Sequence, residues 1–257
     1  MARYKIIQCI QNIVELDAAI NCQEQLDGVE LNSLISPELL DRDWQPELTG
    51  YVDRLKTYPG IISAHGVCMD LNPASPDRKI FNLTKERYLN TIAVAKRLKA
   101  QYLVFHSQIN PWLKDPKVKA IKNNRQLPFW EACFERVGEN GPTLLLENVY
   151  EDNPRDLADL VQRIGHPRLQ VCLDVGHVLA NPGLQLDEWF EILADKIVYL
   201  HLHWNSRTYD QHQTPPDAFL AEIKELLEKY QLQPMIALEY AIPDLQTEIT
   251  RVRKILG

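Results

Sequence analysis

Residues 169–177 read Leu169-Gln170-Val171-Cys172-Leu173-Asp174-Val175-Gly176-His177. A short apolar run ends abruptly in a carboxylate, and an imidazole follows three positions later. So little alternation over so few residues marks a strand buried on both faces, as in a parallel sheet. The same unit recurs along the chain. Apolar runs fall at Tyr4–Ile10, Gly28–Asn32, Ile61–Gly66, Tyr102–Ser107, Thr143–Asn148, Leu169–Val175, Ile197–His203 and Met235–Tyr240. Helix-period segments lie between them. Thr84 to Tyr88 opens one, with apolar positions at Tyr88, Leu89, Ile92, Ala95 and Leu98. Phe219, Ile223, Leu226 and Leu227 mark another, and Leu245, Ile249, Val252, Ile255 and Leu256 the last. Asn153-Pro154 and Pro216-Asp217 read as helix entries.

Eight strands alternating with helices over 257 residues predict one α/β domain, residues 1–257, folded as a (β/α)8 TIM barrel. The alternative, an open doubly wound sheet, wants fewer strands and usually a glycine-rich first turn. The first turn here, Cys9-Ile10-Gln11-Asn12, has no glycine, and the chain contains no GxGxxG and no P-loop. The balance of 28 Lys+Arg against 35 Asp+Glu gives a net charge of −7. That argues against a broad nucleic-acid surface, which needs clustered cations, yet leaves room for a local basic or metal-lined site. No run approaches the roughly 18 apolar residues of a membrane span. Met1 to Gln11 lacks the long apolar core of a signal peptide, so neither membrane contact nor export is expected. Five cysteines without CxxC spacing read as free thiols in a reducing cytoplasm. The sequence leaves a homo-oligomer open.

In such a barrel, chemistry gathers at the C-terminal ends of the strands. Those ends carry Glu30 and Asn32, His65, His106, Glu147, Asp174 and His177, His201 and His203, and Glu239; Asp210 and His212 follow strand seven. Of seven histidines only His166 lies elsewhere. Taken singly, each has an ordinary explanation: a strand histidine is usually a satisfied core residue, and His-x-His on one strand face is common. Crowded into one buried end, carboxylates and imidazoles would repel or desolvate one another at heavy cost. Divalent ions remove that cost by neutralising the carboxylates and taking the imidazole lone pairs, so the set predicts a metal site. Around it, Glu30 and Asn32 are placed to bind hydroxyls. Trp204 and Arg207 follow strand seven directly, and Arg207 would hold a substrate phosphate or carboxylate. Tyr150 and Tyr240 would wall the pocket. Ser107 to Asn124, with Trp112, Lys114, Lys117, Lys119 and Lys122, reads as a lid or as the exposed start of a helix.

Leu145-Leu146-Glu147-Asn148, Cys172 to His177, His201-Leu202-His203 and Leu238-Glu239 together resemble the xylose isomerase-like TIM-barrel superfamily. That group includes sugar (phosphate) isomerases and epimerases, and the AP endonuclease IV family. The epimerase branch implies one divalent ion on Glu147, Asp174, Glu239 and a histidine of the His201/His203 pair. It also implies proton exchange by Glu147 and Glu239 through a metal-stabilised enediolate, and a substrate contact from His177. The endonuclease branch implies three zinc ions. His65, His106 and Glu147 would match the first, Glu147, Asp174, His201 and Glu239 the second, and His177, Asp210 and His212 the third. The segment Asn148 to Pro154 is similar to the isomerases, lacking the nuclease's glycines. The loop from His201 to Asp210 is shorter than the nuclease's, and His212 is followed by Gln213-Thr214-Pro215-Pro216 without the glycine-containing stretch common in both branches. The first expectation is therefore a metal-dependent isomerase or epimerase of a small sugar or sugar phosphate, using one to three ions of zinc, manganese or cobalt. The alternatives are a multi-zinc phosphoesterase and a non-catalytic metal-binding barrel.

Overall fold

The computed structural model describes residues 3–22, 25–33, 36–41, 43–181 and 183–257, so Met1 and Ala2 of the N-terminal reading lie outside the described residues. In chain order the elements are β1 (Lys5–Ile10), α1 (Ile13–Asn21), β2 (Gly28–Leu31), α2 (Pro37–Leu40), α3 (Gln45–Leu55), β3 (Ile61–His65), α4 (Arg78–Arg97), β4 (Tyr102–His106) and α5 (Pro116–Val137). There follow β5 (Thr143–Glu147), α6 (Pro154–Ile164), β6 (Leu169–Asp174), α7 (Val175–Ala180), α8 (Leu186–Leu193), β7 (Ile197–Leu202), α9 (Asp217–Lys229), β8 (Met235–Leu238) and α10 (Leu245–Leu256). The strands are parallel and close in sequence order, β1 pairing with both β2 and β8. This is the (β/α)8 TIM barrel that the eight apolar runs predicted.

Boundaries differ where side-chain chemistry overrides periodicity. α4 begins at Arg78 rather than near Thr84, because Asp77 caps it, accepting from the Lys79 and Ile80 amides. Thr84 lies inside the helix and returns its hydroxyl to the Ile80 carbonyl at 2.8 Å. Residues 107–124 divide into a loop and the first turns of α5, which starts at Pro116 behind the Asp115 cap. The entries read at Asn153-Pro154 and Pro216-Asp217 are where α6 and α9 begin. β2, β7 and β8 stop short of their apolar runs, at Leu31, Leu202 and Leu238, so Asn32, His203 and Glu239 stand beyond the ladder. All five cysteines are free, with Cys9, Cys133 and Cys172 buried.

Two apolar layers hold the scaffold. A small cluster inside the barrel, including Ile7, Val104, Leu145, Cys172 and Ala237, fills its lower part. The larger layer lies between strands and helices. There Tyr88 of α4 stacks on Phe105 of β4 at 4.2 Å between ring centroids and meets Phe129 and Trp130 of α5 edge-on. Four aromatic rings thus fasten two helices to one strand. The Tyr88 hydroxyl is buried without a hydrogen-bond partner, so the ring contributes and the oxygen does not. We expect Tyr88→Ala to cost about 3–5 kcal/mol by the cavity it leaves. Tyr88→Phe should keep the melting temperature or raise it by about 2–4 °C. Thermal unfolding of both variants is the check.

Candidate metal centre

Register brings the strand-end residues together. His106 sits beside Glu147 across β4 and β5, and Asp174 beside His201 across β6 and β7. Glu239, just past β8, is fixed by its amide donating to the Leu202 carbonyl at 3.1 Å. The result is four adjoining clusters, each with its ligand atoms within 4.8 Å of one another: Glu147, Asp174, His201 and Glu239; His65, His106 and Glu147; His177, His203, Asp210 and His212; and, deeper, Cys9, Glu30 and His201. All ten sequence-predicted ligands fall in them. His201 belongs to the central cluster and His203 to the outer one.

The ring orientations are informative. A backbone carbonyl only accepts hydrogen bonds, so a ring nitrogen facing one must carry hydrogen. His65 Nδ1 lies 2.8 Å from the Gly66 carbonyl, His177 Nδ1 2.9 Å from that of Asn148, and His212 Nδ1 2.9 Å from that of Glu239. In each neutral ring the lone pair is therefore on Nε2. Those Nε2 atoms face carboxylates: Glu147 at 3.1 Å from His65, and Asp210 at 3.3 and 2.9 Å from His177 and His212. Lone pairs aimed at carboxylates need a cation or a second proton between them. The same anchoring through the remote nitrogen orients metal-binding histidines in general.

The central cluster makes the demand sharper. His201 Nδ1 lies 2.9 Å from Glu239 Oε2, 3.3 Å from Glu147 Oε1 and 3.8 Å from Asp174 Oδ2. One ring N–H serves one carboxylate. Glu239 Oε2 accepts no aligned hydrogen bond despite its closeness, and in the outer cluster His203 Nδ1 is buried with no hydrogen-bond partner. These orphaned atoms and the mixed nitrogen-oxygen donor set fit a divalent ion.

Protons meet the charge where no cation does. Burial opposes a proton on His65, but the hydrogen bond and charge of Glu147 raise its pKa to about 9. His212, likewise opposed by burial, is raised to about 9 by Asp210 and Glu239. Burial raises Glu239, but the charge and hydrogen bond of His201, with the charge of His212, together bring it down to about 2. Burial would raise Asp210 too, but His177 and His212 hold it well below the usual carboxylate range. His106 goes the other way: burial lowers it to about 4, leaving a neutral ring.

Three residues to which the sequence assigns no role of their own build this geometry. Asn148 ties β5 to β6, donating to the Asp174 carbonyl at 2.9 Å and accepting the Asp174 amide at 2.8 Å. Asn205 accepts the amides of Gln211 and His212 and donates to Asp210, turning the loop back over the site. His212 thereby takes φ of 47°, a left-handed value unusual for a side-chain-bearing residue. Gly176 is required by contact, since a Cβ there would lie 2.2 Å from the His203 ring. Amide side chains in turns have so many uses that only the fold reveals these roles.

Above the clusters opens a cavity of about 680 Å3, lined by His65, His106, Glu147, His177, Asp210, His212 and Glu239 and by neutral groups, among them Gln11, Asn32 and Thr208. Tyr150 lines it and Tyr240 does not. Arg207 and Trp204 are also absent from that lining; both border a separate surface hollow beside α9. Arg207 is exposed, in a turn with φ of 66°. Among the described residues no lysine or arginine lines the cavity. Lys114 and Lys119 of the basic stretch are committed to Asp152 and Asp156, both at 2.6 Å. Glu30 lies below the cavity, fully buried beneath His201. No helix among the described residues is long and apolar enough to cross a membrane.

Comparison with known proteins agrees with this architecture. The uncharacterized protein MJ1311 of Methanocaldococcus jannaschii is 28% identical over 159 residues, covering 59% of this chain and 54% of the relative, about half of its length. The TTHB071 protein from Thermus thermophilus, solved after soaking with ZnCl2, superposes with a TM-score of 0.74 at 22% identity, over 100% of this chain and 98% of that one. A D-tagatose 3-epimerase-like protein superposes with a TM-score of 0.73 at 21% identity, over 98% and 95%. The family profile described as xylose isomerase-like TIM barrel matches residues 24–254. With nearly the whole barrel matched and its strand ends carrying the predicted cluster, the chain belongs to the xylose isomerase-like TIM barrel family.

Proposed function

We propose that the protein is a metal-dependent isomerase or epimerase of a small, uncharged sugar or related polyol. The observation that carries this reading is the pairing of Glu147 and Glu239. Both are carboxylates within one four-ligand cluster, both line the cavity floor, and they approach His201 Nδ1 from 3.3 and 2.9 Å. Glu147, Asp174, His201 and Glu239 would hold the divalent ion, whose charge makes a carbon beside a substrate carbonyl acidic. Glu147 and Glu239 then divide the proton work. One, as the carboxylate, would remove the C–H proton; the other, starting as the carboxylic acid, would deliver its proton to the opposite face of the same carbon, so the two end with protonation states exchanged. His106, uncharged over the physiological range, and His177 line the cavity and would contact hydroxyls. A lining without lysine or arginine among the described residues supports a neutral substrate over a phosphorylated one, since phosphate recognition normally recruits such side chains. The sugar epimerases among the structural relatives support the same class.

A second reading, a multi-metal phosphoesterase, is favoured by one observation. Glu147 is divided between two clusters: Oε1 faces His201, while Oε2 faces His65 at 3.1 Å and His106 at 3.6 Å. A carboxylate bridging two ions is less free to carry protons and suits hydrolysis assisted by several metals. Elemental analysis separates the two: one tightly held ion per chain agrees with the isomerase, and two or three agree with the phosphoesterase.

Incubating the metal-loaded protein with neutral ketopentoses and ketohexoses in deuterated water should place deuterium at one carbon adjacent to the carbonyl, read by NMR. Silence across the panel with the ion bound would refute the isomerase reading. Glu239→Gln, which keeps shape and removes the base, should slow that exchange by at least about 100-fold. Metal binding should also depend on pH with a definite sign. His65 and His212 have pKa values raised from 6.5 to about 9, so their protons stabilise the metal-free fold below 6.5 and stop doing so as pH rises through 9. An ion held by Glu147 and Glu239 neutralises the carboxylate charge that helps keep those protons, so binding it drives them off. The gap in melting temperature between metal-loaded and metal-free protein should therefore widen from pH 6 to pH 9. A constant gap would contradict this coupling of His65 and His212 to the ion's carboxylates.

A further inference from the structure

Beneath the central cluster lies a second buried network, joined to it through His201, whose other members the proposed chemistry does not use. Glu30 of β2 is completely buried, as are Tyr199 and His201 of β7. The Tyr199 hydroxyl donates to Glu30 Oε2 at 2.5 Å, His201 Nε2 lies 3.2 Å from that same oxygen, and the Cys9 thiol donates to Oε1 at 3.7 Å. The register explains the meeting: Cys9 and Glu30 are directly paired across β1 and β2, and Tyr199 and His201 point inward from alternate positions of β7. A carboxylate with no proton to give accepts from all three neighbours, so His201 Nε2 must carry the hydrogen. The lone pair of the neutral ring is then on Nδ1, the atom facing Glu147, Asp174 and Glu239.

We infer that Glu30 is a positioning residue that fixes the tautomer and rotation of His201, presenting Nδ1 to the central metal cluster, and that Tyr199 holds Glu30 in place for it. Glu30 therefore acts through His201 and does not bind substrate hydroxyls. Partners of this kind orient ligating imidazoles and make them better donors, and their loss typically costs about 10- to 100-fold in metal affinity. The arrangement differs from that of His65, His177 and His212, whose remote nitrogens rest on backbone carbonyls. Of these four rings only His201 has a charged anchor, and it is the one with most carboxylate around it. The inference rests on the metal reading of the central cluster and is independent of the substrate.

Nitrogen-15 NMR of histidine-labelled, Zn2+-loaded protein reads which ring nitrogen keeps its hydrogen, and titration calorimetry with Mn2+ reads the affinity. His201 should carry its hydrogen on Nε2. Glu30→Gln should weaken Mn2+ binding about 10- to 100-fold while keeping the wild-type circular dichroism. Tyr199→Phe should weaken it by less. A hydrogen on His201 Nδ1 overturns the inference, as does unaltered Mn2+ affinity in a folded Glu30→Gln protein. If Glu30→Gln does not fold, the wild-type tautomer and Tyr199→Phe still decide. Cys9, Glu30 and His201 also lie close enough to form an ion site themselves. A thiolate-to-cobalt charge-transfer band with Co2+, lost in Cys9→Ser, would put the ion there and overturn the positioning role. Wild-type protein that binds no divalent ion, but shows hydrogen on Nε2 of His201, would remove the metal reading while leaving the Glu30 contact intact.

Discussion

At the mouth of the barrel a single ring nitrogen, His201 Nδ1, lies within 3.8 Å of three carboxylates, those of Glu147, Asp174 and Glu239. Like charges held that close inside a protein repel strongly unless positive charge is placed among them. Protons supply part of that charge, which is why pKa values rise at His65 and His212. A divalent ion would supply it at one point, with the orphaned Glu239 oxygen satisfied as well. The rest of the site follows from this demand.

The scaffold keeps the carboxylates from relaxing apart. Asp174 is held from three sides: Asn148 bonds its backbone, one of its carboxylate oxygens caps α7 through the His177 amide at 2.6 Å, and the other faces His203 at 3.0 Å. Gly176 lets α7 start against the His203 ring, and Asn205 folds the following loop so that Asp210 and His212 return to the same cavity. Below, the Glu30 carboxylate takes the hydrogen on the far side of His201. Buried polar networks of this kind are stable only when every member has a partner. Two of the atoms left without one, His203 Nδ1 and Glu239 Oε2, lie in the clusters.

Most of this was legible in the sequence, for a physical reason. Parallel strands buried on both faces need unbroken apolar runs, so the few polar residues tolerated at their ends stand out, and the closed barrel gathers those ends. That is how His65, His106, Glu147, Asp174, His177, His201 and Glu239 could be picked out before their distances were known. Residues acting through loop conformation were less visible. Arg207 follows strand seven in sequence, but a left-handed turn carries it away from the cavity. Nothing local in the sequence encodes that turn. Glu30 was noticed as a strand-end carboxylate, yet its partners Tyr199 and His201 lie at separations of 169 and 171 positions. Only barrel closure brings them together. The apolar periodicity points to a start of α4 near Thr84, whereas Asp77, a single capping side chain, sets it at Arg78.

The central claim is that Glu147, Asp174, His201 and Glu239 form one ion site rather than a set of direct ion pairs. Anomalous diffraction from crystals grown with Mn2+ tests it most directly. The account predicts a strong peak among these four side chains, with His201 contributing Nδ1. Ordered side chains with no peak between them, and His201 Nδ1 hydrogen-bonded straight to Glu239, would contradict it.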